Sequence, residues 1–274
     1  MLRVAICAPS RAITYDIADR VKALAADYPA INLDFHAQCF ETQGHFAGSD
    51  AVRLAALVEC ANDESYGAVW AARGGYGAAR VVEDALTQFG PSAATKIYLA
   101  YSDGGTLLAG LYKRGIGQVV HAPMPSDIGR AGGEEAVGRT LEYLSGAANG
   151  LESSLDARPV AAFNLMTLAM LCGTSLMPDL AGHVVLVEEV AEHLYAVDRL
   201  FFHVMPHLKG IAGLRLGRVN DVPINDIDFA QSAEQIARHW CARNSIPFLG
   251  LADIGHDVAN KIVPFGLAGR GVAQ

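Results

Sequence analysis

Ser102 occupies a position at which a serine hydroxyl could act as a nucleophile. The segment IYLAYSDGGT (97–106) runs from an apolar strand directly into a predicted helix, and Ser102 falls at the junction. A serine at such a turn can project its hydroxyl away from the sheet, and the free N–H groups of the helix amino end can stabilise an oxyanion. The pattern is not a G-x-S-x-G elbow, because Ala100 stands two residues before Ser102. The alternative is that Ser102 merely caps the helix.

A glycine-rich turn, ARGGYG at 72–77, also ends a predicted strand and opens a helix. Glycines leave backbone N–H groups unshielded, which suits an anion or a developing oxyanion. The other interpretation is a nucleotide-phosphate loop. The spacing matches neither G-x-G-x-x-G nor G-x-x-x-x-G-K-S/T, so the sequence does not favour it.

A serine nucleophile needs a base, and the chain has nine histidines. His256, in ADIGHD (252–257), follows an apolar strand, and neutral imidazole is the usual base for a serine hydroxyl. His121 ends another predicted strand, in VVHAP (119–123), and is the strongest competitor.

An imidazole base needs a carboxylate that holds its tautomer. Glu188 is the first acid after the predicted strand 183–187, where it could face a site from a rigid backbone. Glu189 and Glu192 are rivals, but the pattern predicts both on the following helix, where solvent reaches them. An ordinary surface charge is the alternative for each of these acids.

The sequence predicts no metal site and no disulfide. His203 and His207 stand four residues apart, but HVMPH lacks the glutamate of a zinc helix and Pro206 interrupts it. The five cysteines are scattered and odd in number, which is typical of buried, reduced thiols.

Strands and helices alternate through the first half of the chain. Predicted strands cover 2–8, 31–35, 68–72, 97–101 and 118–121, and helices cover 15–26 and 51–61. Several strands are apolar throughout, as in parallel sheets covered on both faces. The pattern therefore predicts a doubly wound, mainly parallel, flavodoxin-like α/β domain with functional loops at the carboxyl ends of its strands.

The periodicity stops at 145–159, where the sequence becomes small and polar. We interpret residues 1–145 as a first domain, 146–160 as a linker and 161–274 as a second, smaller α/β domain. The second half has predicted strands at 183–187, 215–219 and 247–252, a helix that includes Val190 and continues to Val204, and a helix at 232–244.

Composition excludes several classes of protein. Of the 274 residues, 51% are hydrophobic and 18% are charged, which indicates a globular rather than a disordered chain. The net charge of −8, without a basic run, argues against nucleic acid as a partner. The apolar run at the amino end is too short for a signal peptide and no stretch could span a bilayer, so a cytoplasmic protein without membrane contact is expected.

Six segments together resemble the LD-carboxypeptidase family of serine peptidases, which includes murein tetrapeptide carboxypeptidases and microcin C immunity peptidases. The resemblance spans nearly the whole chain, and RGGYG with YSD is its most specific pair. The segments are APS (8–10), RGGYGAAR (73–80), YSD (101–103), HAPM (121–124), LVEEVAEHLYAVDR (186–199) and IGH with VPFG (254–266).

The resemblance implies a catalytic triad of Ser102, Glu188 and His256, with the serine from the first domain and its partners from the second. The active site is therefore expected between the two domains. The resemblance also implies an oxyanion hole formed by the N–H groups of Gly75 and Asp103, and it requires no metal or cofactor. A carboxypeptidase must also bind a terminal carboxylate. Arg73 and Arg199 are candidates, because a guanidinium can pair with a carboxylate through two hydrogen bonds, and structural ion pairs are the alternative.

Three departures from the family pattern concern specificity. Family members usually carry a β-branched residue and a threonine after the SD pair, whereas this chain has Gly104, Gly105 and Thr106. The two glycines could loosen the turn behind Ser102. HAPM replaces HGPM, and AFNL (162–165) replaces a GGNL-like segment. Phe163 is therefore expected to add bulk to the substrate pocket.

The implied reaction is hydrolysis of the L,D-amide bond that links a terminal D-alanine to the diamino acid of a murein tetrapeptide, as part of cell-wall recycling. The resemblance also implies a homodimer. Two alternatives stay open: a related serine peptidase that cleaves a microcin C-like peptidyl nucleotide, and a non-catalytic peptide-binding relative.

Overall fold

A flavodoxin-like sheet forms the first half of the molecule. The structure is a computed structural model and describes residues 1–267. The elements of this half are β1 (Leu2–Cys7), α1 (Tyr15–Ala25), β2 (Ile31–Phe35), α2 (Asp50–Asn62), β3 (Ala68–Ala71), α3 (Val82–Thr87), β4 (Ile97–Ala100), α4 (Gly105–Arg114), β5 (Gln118–His121) and α5 (Gly133–Leu144). The five strands are parallel in the order β2-β1-β3-β4-β5, which is the flavodoxin-like order. The predicted fold class is confirmed.

The central strands of this sheet are largely apolar because helices cover both of its faces. In β1, Val4 and Ile6 point into the hydrophobic cluster formed with α1 and α5, whereas Ala5 and Cys7 point into the cluster formed with α2, α3 and α4. Successive side chains of a strand face opposite sides, so a sheet covered on both faces needs an uninterrupted apolar run.

A second, five-stranded sheet forms the other half. Its elements are β6 (Pro159–Asn164), α6 (Leu165–Leu171), β7 (Val184–Val190), α7 (Leu194–Val204), β8 (Gly213–Asn220), α8 (Ala233–Arg243), β9 (Phe248–Leu251), β10 (Val263–Pro264) and β11 (Gly266–Leu267). Strands β6 to β9 are parallel, and β11 joins the edge of β6 in antiparallel fashion. Strand β10 instead pairs with β5 of the first sheet, so the end of the described chain contributes to both sheets.

Strand β7 is longer than the sequence pattern predicted. The apolar run ends at Val187, but the strand continues through Glu188, Glu189 and Val190, and helix α7 begins only at Leu194. The prediction that Val190, Glu189 and Glu192 belong to the following helix is therefore wrong, because Val190 and Glu189 lie in β7 and Glu192 lies before α7. Glu188 and Glu189 are both buried and hydrogen-bonded in the strand. Buried carboxylates of this kind cannot be predicted from a run of apolar residues, because their partners come from other elements.

Helix α4 lies between the two sheets. Its residues from Gly105 to Leu111 are buried, so the helix is covered on all sides. A Cβ atom on Gly105 would lie 3.4 Å from Thr167 and 3.8 Å from Phe163, which belong to the second half. The boundaries proposed for the two domains and the linker stay predictions.

No helix among residues 1–267 is long and apolar enough to cross a membrane.

Candidate active site

Ser102 stands at the carboxyl end of β4, in a short 3-10 turn that leads into α4. Its φ angle is +58°, in the left-handed region that non-glycine residues rarely adopt. This conformation resembles the strained turn that presents a nucleophile at the top of a sheet. The left-handed backbone distinguishes Ser102 from an ordinary helix cap, which normally has an extended backbone.

Three side chains from distant parts of the sequence form a hydrogen-bonded series. The Nε2 atom of His256 lies 3.0 Å from Oγ of Ser102, and its Nδ1 atom lies 2.6 Å from Oε2 of Glu188. If Nδ1 carries the proton that Glu188 accepts, Nε2 is free to accept the proton of the serine hydroxyl. The structure thus brings together the three residues predicted to form the triad.

Burial and charge have opposite effects on the pKa of His256, whose residue is 8% exposed. Burial lowers the pKa of His256, but the charge of Glu188 and its hydrogen bond to the ring raise it. The net pKa lies above the ordinary value of 6.5. Glu188 is fully buried, and its second oxygen, Oε1, has no hydrogen-bond partner among the described residues.

Two side chains hold the main chain of His256 in place. The N–H of His256 donates to Oδ1 of Asn220 at 2.9 Å, and its carbonyl accepts a hydrogen bond from Arg130. The ring packs against Tyr101, with centroids 5.0 Å apart, and the Tyr101 hydroxyl donates to Asp127 at 2.8 Å. Sequence reasoning missed Asp127 and Arg130. Asp127 also accepts a hydrogen bond from the N–H of Met124 at 2.8 Å, but a methionine at that position lacks the hydroxyl that marks a capping box in a sequence.

His121, the competing base, lies behind Tyr101 rather than beside the serine. The two rings have centroids 5.6 Å apart, and Nε2 of His121 lies 3.0 Å from Oδ1 of Asn260. Burial lowers the pKa of His121 to about 4. We therefore interpret His121 as a buried neutral side chain that ties β5 to the loop of His256.

The glycine-rich turn after β3 lies against Ser102. A Cβ atom on Gly74 would lie 3.0 Å from both Cβ and Oγ of Ser102, so only glycine leaves the hydroxyl clear. Gly75 has φ +108°, and a Cβ atom there would collide with Arg11. Gly75 and Asp103, the predicted oxyanion hole, both line the cleft that contains Ser102.

The side chain of Asp103 ties three loops together. Its Oδ2 atom accepts hydrogen bonds from Oγ of Ser10 at 2.5 Å and from the N–H of Ala78 at 2.9 Å. Ser10 follows β1 and Ala78 follows the glycine-rich turn. The APS and RGGYG segments are thus joined to the turn of Ser102 by one buried carboxylate.

The cleft beside Ser102 has a volume of about 290 Å³. Its walls come from both halves of the molecule, and the lining residues are Gly75, Tyr76, Ser102, Asp103, Asn164, Met166, Thr167, Met170, Glu189, Val190 and Glu192.

Phe163 does not line this cleft but is buried against Phe265, so the expectation that it adds bulk to the pocket is wrong. Gly104 does not loosen its turn either, because it has ordinary helical angles and a Cβ atom there would meet Ala100 at 2.7 Å.

Glu189 supports the second wall of the cleft. It accepts hydrogen bonds at 2.8 Å from the Asn164 amide and from the N–H of Met166, at the start of α6. Burial raises the pKa of Glu189, while these donors oppose the rise. Thr167, in the same helix, donates to the carbonyl of Ser102 at 3.2 Å, so α6 contacts the turn of Ser102 directly.

The two arginines predicted to bind a terminal carboxylate do not line this cleft. Arg73 donates to the carbonyl of Ala12 at 3.4 Å, and burial together with the charge of Arg11 lowers the pKa of Arg73. Arg199 is exposed on α7, with its guanidinium 4.9 Å from the ring centroid of Tyr195. Their role in substrate binding stays a prediction.

Proteins of known name or structure match almost the whole length of this chain. The murein tetrapeptide carboxypeptidase of Pseudomonas aeruginosa is 24% identical over 290 residues, which cover 96% of this chain and 91% of the relative. The crystal structure of muramoyltetrapeptide carboxypeptidase from Oxalobacter formigenes superposes with a TM-score of 0.81 at 24% identity, covering 98% of this chain and 96% of the other. The microcin C7 self-immunity protein in complex with aspartyl sulfamoyl adenosine superposes with a TM-score of 0.78 at 16% identity, covering 97% and 91%. At these identities the two structures establish the shared fold.

The family is established by matches to both halves of the chain. Residues 4–122 match the LD-carboxypeptidase N-terminal domain, and residues 159–270 match the LD-carboxypeptidase C-terminal domain. The hydrogen-bonded serine, histidine and glutamate lie where these two matched regions meet. The chain therefore belongs to the LD-carboxypeptidase family of serine peptidases.

Proposed function

We propose that this enzyme uses Ser102 as nucleophile, His256 as general base and Glu188 as the residue that orients the imidazole. The observation that carries this proposal is the continuous series of hydrogen bonds, 3.0 Å from serine to histidine and 2.6 Å from histidine to glutamate. Hydrogen-bond contact between nucleophile and base is the geometric requirement for activation of a serine hydroxyl.

The proposed reaction has two acyl-transfer steps. His256 takes the proton of Ser102 as Oγ attacks the scissile carbonyl, and the imidazolium formed is stabilised by Glu188. His256 then protonates the leaving amine, and water activated by the same imidazole releases the acyl group. The N–H groups of Gly75 and Asp103 are proposed to stabilise the oxyanion, at about 3–4 kcal/mol for each well-placed donor.

The proposed substrate is a murein tetrapeptide, cut at the L,D-amide bond before its terminal D-alanine. The names of the P. aeruginosa and O. formigenes relatives support this choice, and a cleft of about 290 Å³ is of a size that suits a short peptide terminus. We also propose that Arg73 and Arg199 recognise the terminal carboxylate. Neither side chain lines the cleft, so the support for this assignment is the ability of a guanidinium to pair with a carboxylate through two hydrogen bonds.

The test is product analysis by mass spectrometry after incubation with tetrapeptide, pentapeptide and an all-L control peptide. We expect release of D-alanine from the tetrapeptide and no cleavage of the all-L peptide. Ser102→Ala should abolish this release while the far-ultraviolet circular dichroism and tetrapeptide binding are retained. Unchanged turnover by Ser102→Ala would reject the nucleophile, and binding without any turnover by the wild type would favour a non-catalytic relative.

Tyr76 favours a second candidate substrate, a microcin C-like peptidyl nucleotide. Its ring lines the cleft and is 42% exposed, so it could stack on a nucleobase. Hydrolysis of an aminoacyl sulfamoyl adenosine that exceeds hydrolysis of the tetrapeptide, and that Tyr76→Ala abolishes, would establish this alternative.

We also propose that the enzyme is a cytoplasmic homodimer, as the family resemblance implies. Light scattering measures the assembly directly, and a mass corresponding to a single chain of 29.0 kDa would contradict the dimer.

A further inference from the structure

A cluster of metal-ligating side chains lies at the ends of α6 and α7. The ligand atoms of Cys172, His203 and His207 all lie within 4.8 Å of one another. Cys172 directly follows α6, His203 lies in the last turn of α7, and His207 closes the short 3-10 turn that follows α7. None of these residues lines the cleft beside Ser102.

The sequence predicted no metal site here because Pro206 interrupts the pair of histidines. In the structure, α7 ends at Val204 and the chain continues through Pro206 as a 3-10 turn, which keeps both imidazoles on one side. Their ring centroids are 5.3 Å apart. The third ligand, Cys172, comes from a different helix, and spacing along the sequence cannot reveal it.

The local chemistry favours a cation at this position. Both imidazoles are exposed and the thiol is half-buried, so the rings can turn and solvent can reach the cluster. The carboxyl end of a helix carries a partial negative charge that attracts cations, and α7 ends at the cluster.

We infer that Cys172, His203 and His207 form a binding site for one Zn²⁺ ion. Two imidazoles and one thiolate are a ligand set that zinc prefers, and three protein ligands leave a fourth, tetrahedral position for water or another ligand. Metal–ligand bonds of about 2.0–2.3 Å require ligand atoms roughly 3.5 Å apart, which small rotations of exposed rings can supply. The ion joins the carboxyl ends of α6 and α7, and this inference is independent of the proposed reaction.

The test uses the full-length protein after removal of metals by chelation. Addition of Co²⁺ should produce a thiolate-to-cobalt charge-transfer band in the near ultraviolet, and one equivalent of Zn²⁺ per chain should abolish that band. Zn²⁺ should also raise the Tm of the wild type. The charge-transfer band is diagnostic because it requires a cysteine ligand and does not depend on catalysis.

Two variants identify the ligands, and a third is the matched control. Cys172→Ser should remove the charge-transfer band. His207→Gln should weaken Zn²⁺ binding at least about tenfold, since even changes outside the first coordination shell commonly cost 10–100-fold. His239→Gln, at an exposed histidine of α8, should bind Zn²⁺ as the wild type does.

His207 is exposed, so His207→Gln keeps the test informative if Cys172→Ser fails to fold. Absence of the band in the wild type would overturn the inference. Persistence of the band in folded Cys172→Ser, or equal Zn²⁺ affinity of His207→Gln and His239→Gln, would overturn it as well.

Discussion

The reactive geometry depends on a few residues: one with a strained backbone, one without a side chain and one buried carboxylate. Ser102 has a left-handed backbone, which costs about 1–3 kcal/mol and persists only where the surrounding structure enforces it. Gly74 leaves space for the Ser102 hydroxyl, and Glu188 is a fully buried carboxylate that is hydrogen-bonded to the imidazole of His256. Removal of any one of these residues should affect the reaction more than the fold.

Glu188→Gln should change both the rate and its pH dependence. The base must be neutral to act, so activity is lost as the pH falls through the pKa of His256, which Glu188 raises. Without the carboxylate, burial dominates and lowers this pKa, so the acidic limb of the kcat/KM profile should move to lower pH. The kcat should fall by as much as about 10⁴-fold, because the tautomer is no longer held. Glu64→Gln, at an exposed site, is the control, and an unmoved acidic limb would contradict the assignment.

His121→Gln should flatten the pH dependence of the free energy of unfolding. The folded-state pKa of about 4 lies below the unfolded value of 6.5, so the unfolded chain binds the proton first as the pH falls. Stability is therefore lost between about pH 6.5 and 4, by up to roughly 3 kcal/mol from this residue. Glutamine can keep the hydrogen bond to Asn260 without titrating. Urea unfolding at several pH values measures the effect, and an unchanged slope relative to the wild type would count against it.

At the scale of elements, α6 links the second sheet to the turn of Ser102. Asn164 caps α6 by accepting the N–H of Thr167 at 3.0 Å, and its amide also donates to the buried Glu189. Thr167 then donates to the carbonyl of Ser102. The helix is short, so its position depends on these contacts rather than on intrinsic helix stability.

Asn164→Ala should therefore lower both stability and catalysis. Loss of the cap and of a partner of Glu189 should cost about 1–3 kcal/mol of unfolding free energy, and kcat/KM should fall because α6 contacts Ser102. Ser232 caps α8 in the same way, at a site outside the cleft lining. Ser232→Ala is the matched control: it should cost about 1 kcal/mol without a change in kcat/KM. Equal kinetic effects of the two variants would refute the link between α6 and Ser102.

At the scale of the whole molecule, the two sheets share one hydrophobic core. A single cluster of buried side chains contains Leu108 of α4, Phe163 of β6 and Val187 of β7. Strands β10 and β11 add the end of the described chain to both sheets. We therefore expect the two halves to unfold together rather than as independent domains.

Phe163→Ala tests this cooperativity. Phe163 is 1% exposed and packs against Phe265, so its truncation should cost about 3–5 kcal/mol. Differential scanning calorimetry should show one transition in the wild type and one transition at lower Tm in the variant. Phe202→Ala, at a side chain that is 64% exposed, should change the free energy of unfolding by less than about 1 kcal/mol. Two separate transitions, only one of them shifted, would contradict a shared core.

The sequence by itself determined the elements of the first half and the class of the fold. All five strands of the flavodoxin-like sheet begin at the residues where the sequence pattern predicts them to begin, and Thr14 and Ser49 cap α1 and α2. These features are encoded locally, because burial on both faces of a sheet requires continuous apolar runs and helix ends require polar caps. The position of Ser102 between a strand and a helix could be predicted for the same reason.

Only the tertiary structure decided which polar side chains are buried and which of them meet. Ser102 and His256 are 154 residues apart, and a local pattern carries no information about such a contact. The burial of Glu189, the location of Phe163 outside the cleft and the approach of Cys172 to His203 follow from packing between elements. A buried carboxylate or thiol is stabilised by partners supplied from other strands and helices, and these partners exist only once the chain has folded.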